Sequence, residues 1–253
     1  MKKHALPALI LLIALTPWLS GQLSAADGKK YFLGKGSDLL AQLPPPPADD
    51  SPAGMADLET LLQVQKDRTP GQVARAKRID KHSAMQMGSV AFGRDFTAEN
   101  FPRVAAILEE LRKARREVGN GKDIWDRPRP FKRSKDIVIC VRRPKNSSYP
   151  SGHSATGAFF GTIFSAAFPE YAPLFEAEIR ETMWGRVLGG VHYPSDTTAG
   201  RKLGVLIATE MLKAPDTQAA VAEIRAEISA HLKAHPKVKA RADQRVAEAT
   251  QKN

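Results

Sequence analysis

The stretch "FPRVAAILEELRKARREV", residues 101–118, decides the fold class. Val104, Ile107, Leu108, Leu111 and Val118 keep to one face of a helical period, while Glu109, Glu110, Arg112, Lys113 and Arg116 fall mostly elsewhere. That is the pattern of an amphipathic helix with one buried stripe. Gly119 and Gly121 stop it. Downstream, helix candidates follow at 153–168, 173–188, 195–213 and 217–234, the last with Val221, Ile224, Ile228 and Leu232 as a continuous stripe. Upstream, Leu58, Leu61, Leu62 and Val64 suggest one helix, and Ala74, Ala76 and Ile79 another. Alternating strand patterns are scarce, and "DIVICVRR" (residues 136–143) is the one short apolar run that could be extended. The expectation is an all-α fold, a single domain of packed helices, with no internal repeat at a fixed period.

The chain has 253 residues, 42% hydrophobic and 26% charged, which excludes wholesale disorder and is enough to bury one core. Met1-Lys2-Lys3-His4, an apolar stretch from Ala5 to Leu19, and small residues around Ala26 make the three parts of a secretory signal, with cleavage expected after Ala26. The expected division is a signal peptide at 1–26, an extended Pro-rich segment at 27–54 around "LPPPPADDSPAG", a helical domain at 55–234, and a basic, solvated, frayed tail at 235–253. No second stretch approaches membrane-spanning length, so an exported, soluble protein without stable membrane insertion is expected, periplasmic or secreted. Cys140 is the single cysteine, which excludes an intramolecular disulfide and reads as an inert buried thiol. Residues 1–26 hold two lysines and no acid, leaving 36 basic against 27 acidic side chains in the rest. That excess favours anionic ligands.

Three patches join turn chemistry to side chains that bind anions or move protons. In "KDIWDRPRP", six residues separate Lys122 from Arg129-Pro130. Pro128 and Pro130 break any helix here, so Arg129 is presented from a stiff loop, although a solvated basic loop is the simpler reading of this patch alone. In "SSYPSGHSATG", a Pro150-Ser151-Gly152 turn enters a helix whose first amides and positive dipole end can hold an anion. Ser151 adds a donor, Gly152 allows close approach and His153 at the lip can give or take a proton; the competing reading is that Ser151 caps the helix and His153 merely packs. In "WGRVLGGVHYPSD", five residues separate Arg186 from His192 and three separate His192 from Asp196. Gly189-Gly190 ends one helix, His192 falls on the connection, and Pro194-Ser195 starts the next with Asp196 in its first turn. Asp196 can then accept from Nδ1–H and leave Nε2 as a nucleophile, or simply complement a helix N-terminus.

Together the patches supply three permanent cations, a helix N-terminus, two histidines and a carboxylate, the parts that phosphoryl transfer through a phosphohistidine requires. Arginine suits forked contact with phosphate oxygens, and two of the three cations are arginines. In this order and spacing, "KDIWDRPRP", "PSGH" and "GRVLGGVHYPSD" resemble the phosphatidic acid phosphatase type 2 superfamily, and within it the bacterial class A non-specific acid phosphatases. The resemblance runs from about Leu43 to Leu212 and includes "LPPPPADDS". It implies a helical bundle of the acid phosphatase/vanadium haloperoxidase type, and a secreted phosphomonoesterase of broad specificity that needs no metal or other cofactor. Carried over by motif position, it makes His192 the nucleophile, Asp196 its orienting partner and His153 the acid for the leaving alcohol. Lys122, Arg129, Arg186, Ser151 and the Gly152 amide would hold the phosphate. Gly185 departs from the pattern, standing where the family has Ser, so a hydroxyl contact with phosphate is expected to be missing and phosphate affinity reduced.

Other readings of the same residues stay open. Relatives sharing these motifs include vanadate-dependent haloperoxidases, usually in much longer chains, and lipid-phosphate phosphatases. A non-catalytic anion or nucleic-acid binder is disfavoured because aromatic residues are 7% and no nucleic-acid module is recognisable. A zinc site is disfavoured because His153 and His192 are far apart and three cations around them would repel a metal ion. The expected partners are small phosphate monoesters, with no nucleic acid; a homodimer is left open.

Overall fold

A computed structural model describes residue 31 and residues 34–81, 83–117 and 121–251. The expected signal peptide, Val118 and Gly119 lie outside them. Among the described residues the regular elements are α1 (Gly36–Leu40), α2 (Pro52–Asp67), α3 (Pro70–Ile79), α4 (Ala84–Phe92), α5 (Pro102–Glu117), α6 (Lys122–Trp125), α7 (Pro130–Arg133), α8 (Gly152–Ala167), α9 (Ala172–Leu188), α10 (Pro194–Met211), α11 (Pro215–Ala234) and α12 (Pro236–Gln251), with a 3₁₀ turn at Pro169–Tyr171. The fold is all-α, as the periodicity predicts. Proline stands in the first turn of most of these helices, where its missing N–H costs nothing and its fixed φ favours entry.

Helix α8 runs through the centre, with α9 and α10 against it. Its contact with α10 is close because Gly200 and Gly204 lack side chains: a Cβ on Gly204 would fall 2.2 Å from the Ala155 carbonyl oxygen, and one on Gly200 would fall 2.3 Å from that of Ser151. This close approach sets the N-terminal ends of α8 and α10 side by side. Toward its other end α8 enters an aromatic core, where Phe159, Phe160, Phe164 and Phe168 are fully buried and Phe92 packs edge-on to Phe168 and Tyr171.

Several segments depart from expectation. Residues 236–251 are helical, not frayed: Val238, Ala242 and Val246 lay a narrow apolar stripe on the core, Ala242 is fully buried, and Tyr171 donates to Asp243 at 3.0 Å. Of the basic residues there, Arg245 reaches back to the Ala91 carbonyl at 3.1 Å, while Lys237, Lys239 and Arg241 are exposed. In the Pro-rich segment, α1 interrupts the extended chain, and Pro44 accepts from the Tyr149 hydroxyl, tying the segment to the loop that enters α8. The "DIVICVRR" stretch joins no sheet. The Gln65 side chain of α2 takes the place of a partner strand, donating to Asp136 O at 2.8 Å and accepting from Val138 N at 2.5 Å. Helix α4, apolar around most of its circumference, has no stripe for a periodicity argument to find.

Candidate active site

Three turns carry the predicted residues to one place. Gly121, at φ 65°, starts the short α6 and puts Lys122 at its first position; Asp126, at φ 37°, ends it. Pro128 and Pro130 then hold Arg129 extended at φ −66°, ψ 151°, as the N-cap of α7. At the second turn Ser151 caps α8, its hydroxyl accepting from Ser154 N at 3.4 Å, and its amide donates to the Asp196 carbonyl at 2.9 Å. At the third, Gly189 caps α9 and Gly190 turns the chain at φ 72°, a left-handed conformation that glycine adopts without strain. His192 follows on the connection, Pro194 opens α10, and Asp196 lies in its first turn.

Both readings of Asp196 are realised in one carboxylate. Its Oδ2 accepts from Tyr193 N at 3.0 Å, completing the helix cap, from the Ser148 hydroxyl, and from His192 Nδ1 at 3.3 Å. Its Oδ1 accepts from Arg127 Nη1 at 2.7 Å. Burial alone would raise this carboxyl, but His192 and Arg127 outweigh it and hold it below the ordinary carboxylate range.

His192 is buried, and Nε2 lies 2.9 Å from Arg129 Nη1. A guanidinium has donors only, so Nε2 presents its lone pair and the ring proton sits on Nδ1, facing Asp196. Burial drives this imidazole well below its ordinary pKa; Asp196 pulls the other way, while Arg129 and Lys122 act with burial. The ring is neutral and oriented, with its lone pair at Nε2.

A cavity of about 220 Å³ opens here between Lys122, Arg129, Arg186, Gly152, His153 and His192. Arg129 fixes Asn146 through its backbone and side-chain oxygens at 2.8 and 2.7 Å, and burial lowers its pKa to about 10, with Arg186 adding and Asp196 opposing. Arg186 donates to Asp80 Oδ1 at 2.8 Å, while its Nε is buried without a hydrogen-bond partner. Lys122 gives Nζ hydrogen bonds to the carbonyls of Ser147 and Pro150 at 2.8 and 2.9 Å, which ties α6 to the turn before α8. Burial, then repulsion from Arg129, lowers its pKa to about 7, against the pull of Asp196 and Asp123. Three crowded, desolvated cations make this cavity favourable for an anion. His153 borders it, with Nε2 3.4 Å from the Asp80 carbonyl oxygen. Ser151 is buried beneath the wall, its oxygen accepting from Ser154 N and Oγ. All eight residues singled out from sequence meet in this region, and among the described residues no group of three His, Cys, Asp or Glu side chains is arranged to hold a metal ion.

Sequence reasoning missed the buried support. Arg127 lies inside the quoted "KDIWDRPRP", but nothing in the sequence distinguishes it from its neighbours. It bridges Asp196 to Asp57 on α2 (Nη2 to Oδ2, 2.9 Å), donates to the Ser195 hydroxyl at 2.7 Å and stacks 4.0 Å from the Tyr193 ring centroid. Asp57 also accepts from Ser195 N at 3.1 Å, capping α10 from a helix 138 residues away. Gly185, where a phosphate hydroxyl is expected to be missing, also sits against α3: a Cβ there would meet Ile79 Cδ1 at 2.3 Å. Cys140 is half-buried, with Sγ 3.5 Å from the Leu188 carbonyl oxygen.

The chain is similar to known proteins in sequence and in fold. Residues 106–219 match the model of the PAP2 superfamily, a span that contains every cavity-lining residue except Asp80. The chain is 26% identical over 230 residues to a non-specific acid phosphatase of Salmonella typhimurium, covering 85% of this chain and 91% of the relative. It is 30% identical over 175 residues to an acid phosphatase of Zymomonas mobilis, covering 65% of each. Among solved structures, a bacterial vanadium-dependent iodoperoxidase superposes with a TM-score of 0.54 at 16% identity over 72% of this chain and 54% of that one, a likeness of fold alone.

Proposed function

We propose that this chain belongs to the PAP2 superfamily, whose model matches residues 106–219, and that it is an exported acid phosphatase that hydrolyses phosphate monoesters through a phosphohistidine, without a metal. The observation that carries the proposal is the state of His192: neutral, its Nδ1–H committed to Asp196 and its Nε2 lone pair turned toward a cavity walled by three cations.

A phosphate entering the cavity offers oxygens to Arg129 and Arg186, and Arg129 Nη1, which faces Nε2, turns to the anion. Nε2 then attacks phosphorus, the ester P–O bond breaks, and His153 as imidazolium gives its proton to the departing oxygen. The Gly152 amide at the start of α8 and the guanidinium groups stabilise the charge spread over the equatorial oxygens, with Ser151 holding that turn from beneath. In the second step neutral His153 takes a proton from water, the water oxygen attacks phosphorus, and the N–P bond breaks with its electron pair returning to Nε2. Phosphate leaves. The Lewis-acid role often filled by a metal belongs here to fixed cations, whose field repels a divalent ion. Export rests on the signal pattern of residues 1–26; no helix among the described residues is long and apolar enough to cross a membrane.

The test is to quench the protein during turnover of a phosphorus-labelled ester. Label bound covalently to wild type and absent from His192→Ala is expected, with kcat lowered about 10⁴-fold or more in the variant. A labelled His192→Ala protein would defeat the assignment.

A further inference from the structure

Beside the catalytic cavity lies a second, larger depression of about 540 Å³, lined by Lys77, Arg78 and Lys81 at the end of α3 and by Arg142 and its neighbours on the irregular 136–143 segment. Asp80 and Arg142 border both spaces, so the two are contiguous. Four cations face this groove. Its one carboxylate, Asp80, is engaged by Arg186 Nη1 at 2.8 Å and by Arg142 N at 3.3 Å. Basic side chains at a helix end commonly complement its dipole, but Arg142 comes from a separate segment and converges on the same groove. The groove also lies on the side where the leaving group departs: His153, which protonates that group, has its Nε2 at the Asp80 carbonyl.

We infer that this groove binds a second phosphate group carried by the leaving portion of the substrate, so that the favoured substrates are bisphosphates whose one ester is cleaved while the other is held by Lys77, Arg78, Lys81 and Arg142. The inference rests on the phosphatase reading, because it takes the leaving-group direction from it. Arginine and lysine on two walls can grip a phosphate from opposite sides, with forked contacts from the arginines.

The test compares butanediol bisphosphate with butyl phosphate on wild-type protein, on the triple variant Lys77→Gln, Arg78→Gln, Lys81→Gln, and on a control removing the same charge from the far helices, Lys233→Gln, Lys237→Gln, Lys239→Gln. Wild type is expected to favour the bisphosphate in kcat/KM by about tenfold or more, the scale of one charge-assisted hydrogen bond. The groove variant should lose that preference while its butyl phosphate kinetics stay within about twofold, and the control should keep it. No preference in wild type, an equal fall on both esters, or an equal effect of the control variant overturns the proposal. Calorimetric binding of the non-hydrolysable bisphosphonate analogue separates the two readings. If neither ester turns over but the groove variant alone loses bisphosphonate binding, the groove assignment stands and the phosphatase reading falls; if binding is unchanged, the groove assignment falls as well.

Discussion

At its N-terminal end α8 carries Ser151, Gly152 and His153 into a knot of buried charge; roughly 24 Å away along the axis, it carries Phe164 and the following Phe168 into a cluster of rings. Both ends are dry, and they are stabilised in opposite ways. The aromatic end depends on area and shape, where many small contacts sum and a neighbour can shift to fill a gap. The charged end depends on reciprocity. Asp57, Arg127 and Asp196 are each nearly fully buried, and each is tolerable there only because the others are present. The stringent end is the one that borders the candidate site.

The sharpest way to break this contrast is Arg127→Met, which keeps volume and removes the charge shared by two carboxylates. It should cost about 3–5 kcal/mol, the range for breaking a buried pair, read as the midpoint of urea unfolding, and it should lower kcat by freeing Asp196 to move. A cost below about 1 kcal/mol, typical of exposed pairs, would show that the knot is not structural.

A second test uses the crowding of cations. Lys122 has its pKa lowered to about 7, so it is charged below that pH and neutral above it. Affinity for an anion should therefore be present in acid and lost as pH rises through about 7. Sulfate is a suitable competitive inhibitor because its own charge is constant there, and its inhibition constant should rise by up to about tenfold per pH unit, the limit for loss of one proton. Lys122→Gln should bind sulfate more weakly at acid pH and lack this decline; an unchanged pH profile in the variant would remove Lys122 from the explanation.

The smallest effect belongs to the aromatic end. Phe164→Leu should cost less than about 1.5 kcal/mol by thermal unfolding, as near-conservative core changes do, and leave kcat within about twofold. A large loss of activity would mean that the two ends of α8 are coupled.

The same contrast explains what was legible in the sequence. The candidate site residues are bound to turns, and turns are written locally: Pro128 and Pro130 around Arg129, Ser151 ahead of Gly152, Gly189-Gly190 ahead of His192. The amphipathic stripes of α5 and α11 were equally plain. Asp57 was illegible because α2 carries several acids, and only the arrival of Ser195 and Arg127 buries this one. Asp80 was hidden likewise, since its partner Arg186 is 106 residues away. Helix α12 was obscured by its composition: its lysines and arginines read as a solvated basic tail, while the stripe that docks it consists of small residues.

The bonding of Asp196 has a last consequence for where hydrogen ions can travel. With three donors on Oδ2 and a guanidinium on Oδ1, this side chain has little room to become an acid itself. In the proposed mechanism the imidazole it orients then keeps its Nδ1 hydrogen throughout the cycle and bears a full positive charge while attached to phosphorus. In that mechanism proton traffic is left to His153 at the mouth of the cavity, which makes the pocket a one-door room.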